Sequence, residues 1–231
     1  MVAGRVKSEE YKNLEILILF MGRLIDAKCR QCRRSGEKLF LKGERCFLPK
    51  CAMVKRAYPP GAQGNKKTRR GGNSEYGRQL AQKQKIKKIY GIFERQLKNY
   101  FDEARAQKGD TRENLIIKLE SRLDNVIFRL GWMKSRSAAR QLVNHGHVLV
   151  NNRPVDVPSF RVKKGDVITL KERIKKSKLV ESLIEGLKKY EPPVWLVQEK
   201  SILEAKVLGL PEGENLGDVS VLGLIVEFYS R

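Results

Sequence analysis

Four cysteines fall within one short stretch, Cys29, Cys32, Cys46 and Cys51, in the spacing C-x2-C-x13-C-x4-C, and the chain carries no others. Two close pairs separated by a loop let a short peptide bring four thiolates to the corners of a tetrahedron, the coordination that Zn²⁺ takes. With every position filled by protein, the ion expected here is structural, and its binding contributes directly to folding a segment poor in apolar residues. An iron–sulfur cluster would need the same ligands, but nothing nearby suggests electron transfer. Two local disulfides are the other reading of these thiols. A chain of 231 residues with at most two local bridges is not built like a small secreted scaffold.

The cysteines sit in a cationic collar. Lys28, Arg30, Arg33, Arg34, Lys38, Lys42, Arg45 and Lys50 face only Glu37 and Glu44, a net +6. From Val54 to Lys88 eleven cations oppose Glu75 alone, a net +10, and Gly61, Gly64, Gly71 and Gly72 make the first half of that stretch one that orders on a partner. The whole chain carries 48 Lys and Arg against 26 Asp and Glu, a formal +22. Such an excess opposes compaction and is explained by a phosphate-rich partner. The sign reverses at the end, where seven acids from Glu191 onward oppose three cations. That stretch faces solvent, the protein's own basic surface or a protein neighbour. The apolar run Leu14–Met21 contains Glu15 and is far shorter than the ~20 residues of a membrane span, so no membrane role is expected.

These groups must be positioned by the elements around them. Tyr58-Pro59-Pro60-Gly61 reads as an extended segment and turn. Ser74 is a good N-cap for a helix running to about Lys87, broken at Gly91. A second helix places Phe93, Leu97, Tyr100 or Phe101, and Ala104 on one face, ending at Gly109-Asp110. Leu115, Ile116, Leu119, Leu123, Val126, Ile127 and Leu130 then read as one continuous apolar helical face, stopped by Gly131. Ser135 or Ser137 caps a short helix with Ala138, Ala139, Leu142 and Val143 inward and Gly146 as its stop. After it the period falls to two: Val148 and Val150, a turn at Asn151-Asn152, and a strand pair over Arg161–Leu170 broken at Lys164-Gly165-Asp166. A further helix over about Lys178–Tyr190 ends at Pro192-Pro193. The fold class expected is α+β: a cysteine knuckle and helical domain, with an inserted helix-turn-helix and small antiparallel sheet.

The second constellation with chemical content is Arg122, Asp124, Lys134, Ser135, Arg136 and Arg140. The amide-rich start of the helix after Ser135 can receive a phosphate, with the Ser135 and Ser137 hydroxyls and Arg136 beside it. Arg122 and Asp124 read equally as RNA contacts or as a surface ion pair. Catalysis finds little support: His145 and His147 have no nucleophile or third ligand nearby, and no phosphate-cradling glycine motif is present.

The knuckle with Leu39-Phe40-Leu41-Lys42-Gly43 and Lys50-Cys51-Ala52-Met53, the Tyr-Pro-Pro-Gly segment, Glu75-Tyr76-Gly77, Ile89-Tyr90-Gly91, Arg122-Leu123-Asp124 and the terminal Ile225-Val226-Glu227-Phe228-Tyr229-Ser230-Arg231 resemble, in order, the bacterial small-subunit ribosomal protein four family (universal ribosomal protein family four) in its zinc-binding form. The resemblance runs from about Met21 to Arg231. It implies a non-enzymatic constituent of the cytoplasmic ribosome that binds small-subunit rRNA, nucleates subunit assembly, contacts ribosomal protein five and neighbouring small-subunit proteins, and influences decoding accuracy at the mRNA entry path. The domain layout expected is 1–20 as an extension or misassigned start, 21–111 as knuckle, basic arm and helical domain, 112–172 as the RNA-binding module, and 173–231 as a segment returning to the helical domain. Leu222–Tyr229 reads as a strand from its β-branched and aromatic residues, whereas the resemblance implies a helix, and the helix is adopted. Gly61-Ala62-Gln63-Gly64 lacks a histidine often present in the family after this turn. The residues expected on RNA are Lys42, Arg45, Lys50, Lys66, Lys67, Arg69, Arg70, Arg78, Lys83, Lys85, Arg122, Asp124, Lys134, Ser135, Arg136 and Arg140, with Cys29, Cys32, Cys46 and Cys51 on a structural Zn²⁺. An RNA-modifying enzyme built on the same module would need a catalytic domain, for which the chain has no unassigned stretch. A zinc-dependent DNA-binding regulator is the other competing reading.

Overall fold

A computed structural model describes residues 26–62, 64, 74–175, 180, 183, 186, 187, 190–199, 201–211 and 219–230. Residues 1–20 lie outside them, as do Lys66, Lys67, Arg69 and Arg70.

The cysteine segment is short elements and turns. Helix α1 (Lys28–Ser35) carries the first cysteine pair and stops at Gly36, whose φ of 77° is the left-handed conformation that glycine adopts freely. A 3-10 turn (Gly43–Cys46) presents the third cysteine, and α2 (Ala52–Lys55) begins directly after the fourth.

Three long helices follow, the first at the capping signal expected at Ser74. The Ser74 hydroxyl accepts from the Gly77 amide at the start of α3 (Glu75–Tyr90), and Gly91 ends it in the left-handed region. Helix α4 (Glu94–Ala106) buries Leu97, Tyr100, Phe101 and Ala104 of the stripe read from the sequence, while Phe93 precedes the helix and is half-buried. Asp110 caps α5 (Thr111–Glu120), accepting from the Arg112 amide at 2.8 Å. The apolar run from Leu115 to Leu130 is therefore not one helix. It breaks at Ser121-Arg122 and resumes as α6 (Leu123–Arg129). The break releases backbone groups to a crossing segment: the Leu123 amide donates to the Phe160 carbonyl and the Val162 amide to the Ser121 carbonyl. Apolar periodicity cannot show such a break, because the buried face continues across it.

Helix α7 (Arg136–Asn144) starts at Ser135, which accepts from the Ala138 amide. Strands β1 (Val148–Val150), β2 (Arg153–Val155) and β3 (Val167–Leu170) form the expected small sheet around a tight turn at Asn151 and Asn152, both in the left-handed region. Arg161 makes only an isolated bridge to Arg122, so the strand expected before the Lys164-Gly165-Asp166 turn is absent among the described residues. After a short turn of helix, α8 (Glu172–Lys175), helical residues 180, 183, 186 and 187 follow. Strands β4 (Leu196–Glu199) and β5 (Glu204–Val207) then complete a five-stranded antiparallel sheet, ordered β2-β1-β3-β5-β4. Ile168 pairs with Ala205 and Leu196 with Val207.

Two cores result. Leu123, Val126, Ile127, Trp132, Leu142 and Val143 pack with Val148, Ile168, Val180, Leu187, Trp195 and Val207. Ile86, Tyr90, Leu97, Tyr100, Leu115, Ile116 and Leu119 pack with Leu222 and Ile225. This corrects two expected boundaries. Helix α5 belongs to the helical core, so the module starts after Glu120 rather than at 112. The stretch from 173 does not return to the helical domain as one unit either: β4 and β5 close the module's sheet, and among the described residues of this stretch α9 (Val219–Ser230) is the element that packs on the helices.

The helical state of α9 shows tertiary contacts overriding strand propensity. Leu222, Ile225 and Tyr229 recur at helical spacing and meet α3, α4 and α5, while the Tyr229 hydroxyl donates to Glu94 at 2.7 Å. Gln79 on α3 donates to Glu227 at 3.0 Å, and the Lys83 ammonium lies 4.1 Å from the Phe228 ring centroid. Ile225→Ala leaves a cavity where no solvent reaches, and the expected cost is about 2–5 kcal/mol of unfolding free energy by urea titration. A cost under about 0.5 kcal/mol would show α9 to be peripheral.

Candidate nucleic-acid interface

The four cysteines come together. All are free thiols, Cys32, Cys46 and Cys51 are buried, and all four line one cavity of about 20 Å³ with Leu41, Ala52 and Met53. Burial, together with the neighbouring Cys46, Cys29 and Cys51 sulfurs, pushes the Cys32 thiol up, against an opposing hydrogen bond from the Leu39 backbone. Among the described residues no group of three or more His, Cys, Asp or Glu side chains is disposed as a metal site. The donor set and the shared cavity fit a thiolate-bound ion, but the sulfurs are neighbours rather than an assembled coordination sphere.

The knuckle is seated on the module. Lys28 donates to the Ser137 hydroxyl, and Lys134 pairs with Glu44. Gly43, buried at φ 60°, lies so close to the Lys134 carbonyl that an added Cβ would collide with it. The cleft between them is lined by Lys28, Leu39, Lys88, Tyr90, Arg136 and Arg140.

A buried polar joint connects the helical domain to the module. Glu120, at the end of α5, is 2% exposed. It accepts from the Tyr90 hydroxyl, from Asn125 Nδ2 at 2.7 Å, and from both Arg129 Nε at 2.9 Å and Arg129 Nη2 at 3.0 Å. Arg136 donates to Asn125 Oδ1 at 2.8 Å, with its guanidinium 4.9 Å from the Tyr90 ring centroid and 4.4 Å from that of Phe128. Burial alone would push the Glu120 carboxyl up. The Arg129 hydrogen bonds and the Arg129 and Arg136 charges outweigh it and hold it below the usual carboxylate range. Beside this joint, Arg122 makes a bidentate pair with Asp124, at 3.0 and 2.8 Å, and donates to the Tyr100 hydroxyl at 2.6 Å. Arg140 approaches the same carboxylate at 3.7 Å.

These contacts correct several residues expected on RNA. Arg122 is 0% exposed and Asp124 3%, so they are neither phosphate contacts nor a surface pair but a buried structural one. Lys83 is 6% exposed and pairs with Glu94 at 2.6 Å, holding α3 to α4. Arg136 and Arg140 are half-buried, Arg136 bonded to Asn125 and Arg140 beside Asp124, and the Ser135 oxygen accepts from the Ala138 amide. Lys85 is half-buried against Glu37 at 2.9 Å. Lys42, Arg45, Lys50, Arg78 and Lys134 are exposed, Arg78 and Lys134 in surface pairs with Glu75 and Glu44. Exposed Arg30, Arg34, Lys38, Lys55 and Arg56 extend that cationic face around the knuckle.

Sequence reasoning missed Glu120, Asn125, Tyr90 and Tyr100 as partners in the joint. The signal was available for Glu120, one of two acids, with Asp124, inside the apolar run Leu115–Leu130 of a chain of net +22. A buried carboxylate of that kind calls for cations from elsewhere in the fold.

A helical domain and a helix–sheet module, joined through buried ion pairs and presenting a cationic, cysteine-rich knuckle, define a two-domain class that comparison with known families makes specific. The family profile described as Ribosomal protein S4/S9 N-terminal domain matches residues 23–120, and the S4 domain profile matches residues 121–168. The boundary between them coincides with the end of α5. The chain belongs to the small ribosomal subunit protein uS4 family. It is 49% identical over 211 residues to the uS4 proteins of Halothermothrix orenii and of Thermus thermophilus, covering 91% of this chain and 100% of each relative. Identity to the uS4 protein of Geobacter sp. (strain M21) is 46% over the same coverage.

The joint carries a pH dependence whose sign follows from Glu120. Its folded value lies below its unfolded one, so its ionised form stabilises the fold above the usual carboxylate value, about 4.3, and that stability is lost as pH falls through the depressed folded value. Glu120→Gln removes the charge that the half-buried Arg129 pairs with, with an expected cost of about 1–3 kcal/mol at pH 7 by urea denaturation. The gap between wild type and variant should narrow on acidification below about pH 4. A gap independent of pH would show that the charge of Glu120 is not what matters.

Proposed function

We propose that this chain is a structural, non-enzymatic constituent of the small ribosomal subunit that binds small-subunit rRNA directly. The observation that carries this reading is the 49% identity to small ribosomal subunit protein uS4 over the whole length of that relative. The exposed cations Arg30, Arg34, Lys38, Lys42, Arg45, Lys50, Lys55 and Arg56 supply the phosphate-binding face, while the buried pairs hold the two domains in one fixed relation so that this face meets RNA in one register. Early binding and nucleation of subunit assembly, an influence on decoding accuracy beside the mRNA entry path, contact with ribosomal protein five, and residence in the cytoplasmic ribosome belong to the same reading. Sedimentation of a cell extract tests it. The chain should co-migrate with small subunits through moderate salt, and a free pool with no ribosomal fraction would defeat the reading. If roughly six to ten phosphates are neutralised, rRNA affinity should fall ~10³–10⁵-fold between about 50 and 200 mM salt, and a nearly flat dependence would rule out a phosphate-dominated interface.

Cys29, Cys32, Cys46 and Cys51 would hold a structural Zn²⁺, which supplies the cross-link that so apolar-poor a segment lacks. Elemental analysis of the purified chain should give one zinc per protein and none for Cys29→Ser. Proteolysis of that variant should cut the knuckle while the module around α6, α7 and the sheet survives. A variant that still binds one zinc, or whose module is also degraded, would overturn this assignment.

A further inference from the structure

The cysteine loop carries two aromatic rings that the cores do not use. Phe47 is 75% exposed and Phe40 44%, although Leu39 and Cys46 immediately beside them are buried. The two rings face each other with centroids 5.1 Å apart and planes inclined by 32°. Phe40 reaches this position through a φ of 50°, a left-handed conformation that bulky side chains rarely adopt. Turning a ring outward forgoes hydrophobic stabilisation, and the loop does so twice, with backbone strain at one of the two positions.

The loop is also held in place. Gly43, between the two phenylalanines, is packed against the Lys134 backbone, and Lys134 pairs with Glu44. The rings are thus carried on a turn fixed to the module. Lys42, Arg45 and Lys50, all exposed, lie on the same loop. Open aromatic surface flanked by cations matches the two halves of a nucleotide: a planar base that stacks and a phosphate that needs positive charge. A base paired within a duplex offers no free face, so the matching ligand is an unpaired one.

We propose that Phe40 and Phe47 form a stacking platform for an unpaired nucleobase of the bound RNA. This rests on the rRNA-binding reading and adds to it a site that reads unpaired structure rather than charge alone. It separates Phe47 from the surrounding lysines, whose effect on affinity should fade with salt while that of the ring should persist.

The test uses the full-length chain and a single-stranded RNA oligonucleotide with a central 2-aminopurine, alongside small-subunit rRNA. Binding of wild type and of Phe47→Tyr should quench the 2-aminopurine fluorescence. Phe47→Leu, which keeps an apolar side chain but removes the ring, should abolish the quench and weaken oligonucleotide binding by roughly 5- to 150-fold, with an unchanged unfolding midpoint. Phe40→Leu should act in the same direction and decides the matter if Phe47→Leu fails to fold. Leucine variants that quench and bind as wild type does would overturn the platform. So would variants that keep RNA affinity but lose association with small-subunit proteins, an outcome that would make the patch a protein-docking surface. Wild type that binds rRNA without quenching the probe would defeat the platform alone, whereas wild type that fails to bind rRNA at any salt would defeat the rRNA-binding reading with it.

Discussion

The carboxylate of Glu120 is the constraint on which the arrangement depends. It sits at the end of α5 among side chains that belong to the helical domain on one side and to the module on the other, almost without solvent. An ionised carboxylate there must be met by cations and donors, and the chain brings Arg129, Asn125 and Tyr90 to it, with Arg136 one link further on. Arg129 and Asn125 lose their bonds to Glu120, and Arg136 its contact with the Tyr90 ring, if the two domains separate. Apolar packing holds each domain together, but this set of directional bonds fixes their relative orientation.

That joint explains how the cations are divided. A chain with a formal +22 has far more arginine and lysine than its fold needs, and the structure spends a minority of them internally. Arg122, Arg129 and Arg136 are arginines, whose planar guanidinium can be matched on several edges or stacked on rings, as Arg136 is on Tyr90 and Phe128. Two lysines are buried as well: the Lys83 ammonium is met by Glu94 and the faces of Phe228 and Tyr229, and Lys118 pairs with Glu103 at 3.2 Å. The exposed cations concentrate on the knuckle, where little apolar surface is available to bury them and a polyanion can reach them. Position in the fold, not residue type, separates the cations that build the protein from those that face its ligand.

The knuckle depends on the module as much as on its own cysteines. The close approach of Gly43 to the Lys134 backbone and the Lys28–Ser137 hydrogen bond attach it to the start of α7. Cys29, Cys32, Cys46 and Cys51 gather around a cavity only because the two cysteine-bearing turns are folded back on each other. The loop that carries Phe40 and Phe47 is thereby fixed with respect to the helix–sheet module.

The sequence alone determined what depends on local chemistry. Ser74, Asp110 and Ser135 cap helices, Gly91 and Gly36 end them, the paired asparagines turn β1 into β2, and the cysteine spacing brings four thiols together, because each outcome is set by a few neighbouring residues. Charge runs likewise marked the knuckle as the cationic face without reference to fold. What only the tertiary structure decided was the role of each group whose partners lie far along the chain. Arg122 and Asp124 read equally well on the surface or in RNA, and lie buried because Tyr100 and the segment from Phe160 to Val162 close over them. The apolar run through Leu119 and Leu123 broke into two helices because its two halves serve different cores. Residues 196–207 joined a sheet begun almost fifty residues earlier, and α9 became a helix against its own strand propensity. In each case a long-range contact outweighed a local preference of a fraction of a kilocalorie per residue, and such contacts leave no trace in local spacing.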